Sequence, residues 1–310
     1  VESISAATGL TASIYTITGS SASTISVGPT TQTVTNLSSA TTTVTAAATT
    51  TILTTGAATG NYAITGGVAL TTITATGSSG TLTITSADAT ANALAITTGT
   101  GNVTVAGIGT TDTITVTGLA TVGQTFTGTT TTGVTAKFVV TGGAGAQTIT
   151  TGSGADTITG GAGADIIDGG VGNDAYNITA IAQTGAPGAS WTANASGSTI
   201  STTLMDIISV TAGDTLSLAI ATTLTSITRD STLITNALVF PAAGAGAIAY
   251  EWIGTYDSAN NLFTSVATGA DTLLVYDNNG ATAAGTLEAI VLVGTGTGTD
   301  TIAAGIITIV

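Results

Sequence analysis

Four nine-residue units follow one another from residue 142 to residue 177. They read GGAGAQTIT (142–150), TGSGADTIT (151–159), GGAGADIID (160–168) and GGVGNDAYN (169–177). The shared pattern is G-G-x-G-x-D-x-U-x, where U is a large apolar residue, and Gln147 replaces Asp in the first unit. The glycines allow backbone angles that turn carbonyl oxygens toward one point. The last three residues of each unit are expected to form a short strand whose U residue packs inside. The constant period therefore predicts a stack of similar turns.

The acidic position of these units predicts a calcium site. Asp156, Asp165 and Asp174 recur at a constant spacing, and stacked like charges are unfavourable in a half-buried site unless a cation neutralises them. Calcium takes about six to eight oxygen ligands, which one turn cannot supply, so stacked turns must share each ion. The predicted Ca²⁺ ligands and ligand-bearing loop residues are Gly143, Gly145, Gln147, Gly152, Gly154, Asp156, Gly161, Gly163, Asp165, Gly170, Gly172 and Asp174.

The composition excludes most catalytic chemistry. The 310 residues include 16 acids, two bases, no His and no Cys. Imidazole bases, Cys nucleophiles and zinc sites of the usual N/S type are therefore absent. Two cations cannot hold a nucleic acid, because phosphate binding needs clustered Lys and Arg. The one candidate carboxylate pair, Glu251 and Asp257 beside Trp252 and Tyr256, is explained equally well by a loop or an interface patch. We expect no enzyme.

The charges are placed unevenly along the chain. Residues 1–150 hold three acids and Lys137, whereas residues 151–310 hold the other thirteen acids and Arg229. The first half must therefore stay soluble through Thr and Ser hydroxyls. The second half needs water or metal ions to neutralise its acids.

The rest of the chain predicts an all-β protein, because β-branched residues dominate and fit a pleated surface. From about residue 70, inward apolar residues are expected every nine to twelve positions: Ile73, Ile84, Ile96, Val105, Ile114, Phe126, Val139, Ile149, Ile158 and Ile167. This period favours a β-solenoid over a plain antiparallel β-domain with hairpins for residues 70–140, and leaves a solenoid or a β-sandwich open for residues 1–70. We expect three parts, at 1–140, 141–177 and 178–310. The longest apolar stretch, 237–250, is too short to span a bilayer.

Residues 142–177 resemble the RTX repeats of proteins exported by bacterial type I secretion. The resemblance implies a parallel β-roll whose successive turns alternate sides, with an ion between turns that are two units apart. Loop 160–165 should then face loop 142–147, where Gln147 implies a weaker ion. Loop 169–174 should face loop 151–156 and form a full site. The expected fold is a parallel β-solenoid or RTX β-roll, with a short-stranded β N-terminal part and a C-terminal β cap.

Three downstream segments extend the resemblance. Residues 206–218 resemble the segment that follows RTX repeats, and residues 271–280 with 287–294 resemble the final hairpin of such proteins. The sequence opens without a basic region followed by an apolar region, which is the pattern of a Sec-type signal. The family's export signal is C-terminal and uncleaved, so the resemblance implies such a signal here. Residues 295–303 match one further repeat, and we weigh a calcium half-site there against a simple turn.

The Thr, Ala and Gly richness resembles RTX-type S-layer proteins of Gram-negative bacteria. It implies a structural, calcium-dependent, self-assembling protein at the extracellular cell surface. The partners implied are further copies in a lattice or filament, a type I ABC exporter and possible cell-surface polysaccharide. One alternative is the C-terminal calcium-folding and secretion domain of a larger exported RTX enzyme or adhesin. Another is an adhesin or an ice- or carbohydrate-binding solenoid, which would need Thr at one outward position over several regular turns, and the spacing shows no such face.

Overall fold

A computed structural model describes most of the chain. The described residues are 2–5, 12–18, 21–37, 40–47, 50–55, 60–66, 69–86, 93–106, 112–119, 123–129, 135–178, 199–218, 224–230, 247–266, 268–277, 287–294 and 300–310. All regular elements in these ranges are β-strands, and none of the described residues form a helix long and apolar enough to cross a membrane. The all-β prediction is confirmed. The chain divides into two compact units, residues 1–143 with 147–158 (unit 1) and residues 144–146 with 159–310 (unit 2). The three-part division stays a prediction.

Unit 1 is a parallel β-solenoid, and the fold has about seven turns. Its odd-numbered strands form one sheet, the odd sheet: β1 (Glu2–Ser5), β3 (Ser23–Val27), β5 (Thr42–Ala46), β7 (Tyr62–Gly66), β9 (Leu82–Ser86), β11 (Val103–Ala106), β13 (Thr125–Thr129) and β15 (Thr148–Thr150). Its even-numbered strands form the even sheet: β2 (Ala12–Ile17), β4 (Thr30–Asn36), β6 (Thr50–Thr55), β8 (Thr72–Thr74), β10 (Ala93–Thr97), β12 (Thr113–Leu119), β14 (Lys137–Gly142) and β16 (Thr157–Thr159). Consecutive strands thus alternate between sheets, as the RTX resemblance implied, and the solenoid includes residues 1–70.

The core of unit 1 consists of stacked columns of identical or similar apolar residues. In the odd sheet, Ile25, Val44, Ile64, Ile84 and Val105 pair in register on five successive strands, and each is at most 1% exposed. Inward and outward positions alternate along each strand because the side-chain period of a strand is two. β-branched side chains suit such a pleated surface, which explains why Thr, Val and Ile form these strands.

One predicted core position is wrong. Val139 is only partly buried, whereas its neighbours Phe138 and Val140 face the core. Phe138 packs edge-to-face against Phe126, with ring centroids 5.9 Å apart and planes at 68°. Gly128 lies beneath this ring, since a Cβ there would come within 2.8 Å of the Phe138 ring. In β14 the inward positions are therefore those of Phe138 and Val140, and Val139 faces outward.

Unit 2 contains the remaining strands: β17 (Ile166–Asp168), β18 (Ala175–Ile178), β19 (Thr199–Ser201), β20 (Asp206–Ser209), β21 (Thr215–Leu218), β22 (Leu224–Asp230), β23 (Ala247–Asp257), β24 (Leu262–Ser265), β25 (Asp271–Asp277), β26 (Leu287–Val293), β27 (Thr301–Ala303) and β28 (Ile306–Thr308). One series of hydrogen-bonded neighbours runs β17-β20-β26-β25-β23-β24-β19, with β22 beside β23. The other runs β18-β21-β28-β27. The segment predicted at 206–218 supplies β20 and β21, which continue the parallel pairing of β17 and β18.

Antiparallel pairing closes unit 2. β25 and β26 pair antiparallel, as expected of a final hairpin, and β28 pairs antiparallel with β21. An apolar cluster lies on one face of the longer series of strands: Met205, Ile207, Trp252, Phe263, Leu273, Val275, Ala289 and Val291. These strands are thus held by a core larger than that of any single solenoid turn.

We predict that Phe138→Ala lowers the free energy of unfolding by about 3–5 kcal/mol, because it removes a fully buried ring and leaves a cavity over Gly128. Val139→Ala is the matched control on the outward side of the same strand, and it should cost much less. Chemical denaturation in saturating calcium measures both. Equal losses for the two variants would contradict the alternation described for β14.

Candidate metal centre

The three repeat aspartates lie at the starts of strands. Asp156, Asp165 and Asp174 directly precede β16, β17 and β18, and their side chains are 1%, 0% and 1% exposed. The apolar U residues that follow them or Gln147 are also buried: Ile149, Ile158, Ile167 and Tyr176. The predicted inward packing of the U position is confirmed. Each repeat therefore delivers one carboxylate to the inside of its turn.

The glycine loops approach one another closely. Gly163 has φ +123°, and a Cβ on it would come within 2.8–2.9 Å of backbone atoms of Gly145 and Ala146. Loop 160–165 therefore lies against residues 145 and 146, as the RTX resemblance implied. Only a glycine permits this approach, and only a glycine adopts this φ without strain. The predicted pairing of loop 151–156 with loop 169–174 stays a prediction.

Further glycines leave room for the carboxylates. A Cβ at Gly160 would overlap Asp165 Oδ2, and a Cβ at Gly169 would overlap Asp174 Oδ2. In the third and fourth units the first glycine thus leaves space for the carboxylate of the same unit. Carboxylate and backbone carbonyl oxygens are the donors that a hard cation prefers.

Burial disfavours the charged form of Asp156. It raises the pKa of this carboxyl above its usual range, opposed by hydrogen bonds from the Phe138 N–H and from Thr151 and by the charge of Lys137. The Phe138 N–H donates to Asp156 Oδ1 at 2.8 Å. The bond fixes one carboxylate oxygen to the neighbouring backbone. The carboxylate is therefore positioned but poorly solvated.

Two functional residues escaped the sequence prediction, Asp206 and Asp214. The register of β17 with β20 places Asp206 beside Asp165, and that of β18 with β21 places Asp214 beside Asp174. Asp206 Oδ1 accepts a hydrogen bond from the Asp165 N–H at 2.8 Å, and Asp214 Oδ1 accepts one from the Asp174 N–H at 2.8 Å. The two bonds are equivalent. We call Asp165, Asp174, Asp206 and Asp214 the aspartate ladder, and its last two members lie beyond the nonapeptides.

A sequence signal for these residues exists. Asp206-Ile207-Ile208 repeats the letters of Asp165-Ile166-Ile167, and Asp214-Thr215-Leu216 has the pattern of Asp156-Thr157-Ile158. An Asp immediately before an alternating apolar strand is the shared feature. The glycines that precede it in the repeats are missing from the first segment, which is why a search for the whole nonapeptide passes over it.

These two acids are also poorly solvated. Burial raises the pKa of Asp206 to about 7, helped by the charges of Asp165 and Glu288 and opposed by the hydrogen bond from Asp165. Burial raises the pKa of Asp214 as well, against hydrogen bonds from Asp174, Thr211 and Tyr176. The raised pKa values mean that burial disfavours the charged forms of Asp206 and Asp214, and a nearby cation would favour them.

The donor chemistry fits calcium. The described residues contain no cluster of three or more Asp, Glu, His or Cys side chains. The donors at these turns are single carboxylates together with backbone carbonyls of the glycine loops. Calcium accepts carbonyl and carboxylate oxygens together. Asp165 and Asp174, with the carbonyl groups of their glycine loops, would hold such ions. The metal-binding role of the twelve predicted residues stays a prediction.

Other predicted acidic positions lie elsewhere. Glu251 is fully buried in β23, whereas Asp257 is exposed and accepts hydrogen bonds from the Ala259 N–H at 2.9 Å and from Asn260. This geometry matches a turn at Asp257. Of the possible further repeat, residues 295–299 lie outside the described residues, and Asp300 accepts a bond from the Val310 N–H at 3.1 Å.

Comparison with known proteins supports the repeat. A family model of the RTX calcium-binding nonapeptide repeat matches residues 141–176 in four copies. No curated protein and no solved structure matches the chain. The chain therefore carries RTX calcium-binding repeats within a β-solenoid. Such repeats indicate a calcium-binding exported protein, and RTX repeat proteins are typically secreted to the extracellular space.

We predict that the calcium-free protein loses stability as pH rises. The pKa of Asp206 is about 7 in the folded state against 3.8 ordinarily, so between these values the folded state holds a proton that the unfolded state has released. The free energy of unfolding then falls with rising pH, by up to about 1.4 kcal/mol per pH unit from this group. Urea denaturation in EGTA from pH 4 to pH 7 measures the slope. Asp206→Asn should flatten it, and an unchanged slope would contradict the assignment.

We predict that Asp174→Asn weakens calcium binding at least about tenfold, since it removes a ligand carboxylate. Asp206→Asn and Asp214→Asn should weaken it by roughly 10–100-fold, because both side chains position the backbone of a ligand residue. Asp257→Asn, at an exposed turn, is the control and should bind normally. Isothermal titration calorimetry gives affinity and stoichiometry. If the control loses as much as Asp174→Asn, the loss is one of overall charge and the site assignment is wrong.

Proposed function

We propose that this chain is a structural, calcium-dependent, self-assembling protein of an extracellular surface layer, exported by a type I secretion system. The RTX repeats support calcium binding and export. The scarcity of charged side chains and the repetitive sheet surface support assembly. Further copies of the chain are the main proposed partner, with the ABC exporter during secretion and cell-surface polysaccharide as an anchor.

The observation that carries this proposal is the set of buried carboxylates in unit 2. Asp165, Asp174, Asp206 and Asp214 are each 0–2% exposed. Arg229 is the one basic residue between residues 151 and 310. A buried carboxylate costs several kcal/mol unless it is paired. A single basic residue cannot balance four such carboxylates, so calcium from solution would supply much of the compensating charge.

Calcium would couple folding to location. Bound calcium supplies positive charge and shared coordination between stacked turns. A ligand that binds only the folded state stabilises it by RT ln(1 + [L]/Kd), about 2.7 kcal/mol for a site at 100 times its Kd. Where calcium is scarce, the acids repel and the chain remains unfolded and exportable. Where calcium is plentiful, the ladder is neutralised and the chain folds.

The surface of unit 1 suits lateral packing. The outward positions of its described strands carry mostly Thr, Ser and Ala, and exposed Lys137 is its one base. Repeated contacts between long charged side chains would cost rotamer entropy and desolvation. Short hydroxyl side chains avoid most of that cost, so many weak contacts can add up in a lattice.

We also propose that the chain has no catalytic role. Glu251 and Asp257 lie six residues apart on one strand, the first fully buried and the second exposed in a turn. A glycosidase-type reaction needs two carboxylates that flank one bond. This buried and exposed arrangement supports a structural role for both residues.

Electron microscopy of the purified chain tests the assembly proposal. We expect ordered sheets or filaments in millimolar calcium and none in EGTA, because calcium folds unit 2 and removes its repulsion. A double variant, Asp165→Asn with Asp174→Asn, should fail to assemble in calcium, whereas Asp257→Asn should assemble. Folded, dispersed monomers in calcium would overturn self-assembly and favour a calcium-folding and secretion tail of a larger exported enzyme or adhesin.

A further inference from the structure

The odd sheet of unit 1 carries two aligned outward columns, which we call the threonine array. The first column is Thr24, Thr43, Ala63, Thr83, Thr104, Thr127 and Thr150, one residue from each strand β3 to β15. The second column, two residues further along each strand, is Ser26, Thr45, Thr65, Thr85, Ala106 and Thr129. Thr thus occupies ten of thirteen positions in these two columns. The array therefore places Thr at the same outward position over several regular turns, which the spacing in the sequence did not reveal.

The array is regular because its register is uninterrupted. The odd sheet pairs in register from β1 to β15 without a shift. The even sheet has register irregularities at Thr30/Thr31 and Val116/Leu119. Its outward threonine column in the described residues, Thr33, Thr54, Thr74, Thr97 and Thr117, is bordered by the exposed apolar residues Ile14 and Ile52. The array therefore repeats about every 4.8 Å across strands and about every 6.6 Å along them. The first column extends over about 29 Å, from six such steps.

The array side chains are held in place. Most are half-buried, and Ser26, Thr45, Thr85 and Thr129 are exposed. Thr is β-branched and stiff at χ1, so the hydroxyl and methyl groups keep their spacing. The side chains therefore lose little rotamer entropy when a partner binds. Each hydroxyl offers one donor and two acceptor positions. A rigid, evenly spaced set of such groups can hold water at fixed positions.

Charge and shape select the partner. The chain has a net charge of −14, yet the array has no charged or aromatic residue, so its charge complement is an uncharged partner that forms hydrogen bonds. Sugar sites gain much of their contact area from aromatic rings, which this face lacks. A face whose hydroxyl groups repeat at a constant spacing forms the most hydrogen bonds with a partner whose own groups repeat at a similar spacing. Crystalline water is uncharged, periodic and able to donate and accept.

We propose that the threonine array binds the surface of ice. Its two repeats lie near the oxygen repeats of an ice prism face, so water bound along both columns can join the crystal lattice. The methyl groups between the hydroxyls limit competing water positions. This inference does not depend on lattice assembly of the protein, and it concerns unit 1 rather than the calcium ladder.

Ice-affinity partition and thermal hysteresis, measured on the full chain in calcium, test the proposal. We expect the wild-type chain to be retained in a slowly growing ice front and to show thermal hysteresis. Thr83→Tyr at the centre of the array should reduce both at least about fivefold, because a tall ring lifts the face from the crystal, while Tyr suits a strand. Thr74→Tyr, outward on the even sheet, is the matched control and should behave as wild type. Circular dichroism and calcium titration should show all three proteins folded.

Three outcomes would overturn the proposal. The first is exclusion of the folded wild-type chain from ice. The second is an equal loss for Thr83→Tyr and Thr74→Tyr. The third is retention of Thr83→Tyr in ice at the wild-type level together with loss of its calcium-dependent sheets in electron microscopy, which would assign the array to contacts between copies. If the wild-type chain forms calcium-dependent sheets but does not bind ice, the proposed surface-layer function is retained and the ice-binding proposal is wrong. If it binds ice but forms no sheets, the ice-binding proposal is retained and the surface-layer function is wrong.

Discussion

The desolvation of carboxylates at the strand starts of unit 2 is the constraint on which the rest of the structure depends. Asp165 and Asp174 are buried, and each backbone N–H is bonded to the next aspartate of the ladder. A hydrogen bond offsets part of the desolvation cost but leaves the negative charge in place. The glycines that leave space for these carboxylates, and the carbonyl groups of the glycine loops, would then form the oxygen-lined surroundings of a cation.

Parallel, in-register stacking explains why that constraint arises. In such a sheet each residue meets its own counterpart one turn away, so Ile64 stacks on Ile84 and Thr83 on Thr104. For apolar residues the result is a continuous core, and for threonines it is an even hydroxyl surface. For aspartates the same geometry stacks like charges. A cation between turns would offset this repulsion, and thirteen of the 16 acids follow residue 151, where the repeats carry their aspartates.

The strict repeat made the core of the site predictable, because a constant nine-residue period fixes which residues meet. The period placed Asp156, Asp165 and Asp174 at equivalent positions, where the structure buries them, and it predicted the buried U residues; the metal-binding role of the aspartates stays a prediction. Asp206 escaped because the chain returns to the ladder only after residues that break the period, and pairing of β17 with β20 is a long-range event. The threonine array escaped for a related reason. Turn lengths vary between strands, so its spacing in sequence is irregular although its register in the sheet is not. Val139 was misplaced by one residue, which in a strand reverses the face.

In unit 1 a side-chain amide bonds the carbonyls of one turn. Gln124 is buried, and its Nε2 donates to the carbonyl oxygens of Gly99 at 3.0 Å and Gly101 at 2.7 Å. An amide brings its own donors to the turn carbonyls, whereas a carboxylate has none and must share a cation with them. Gln147 lies one turn further, since Thr125 pairs with Thr148, and it fills the aspartate position of the first repeat. From Asp156 onward the repeats carry a carboxylate at this position instead of an amide, and a calcium ion shared with the turn carbonyls would supply the positive charge that a carboxylate lacks.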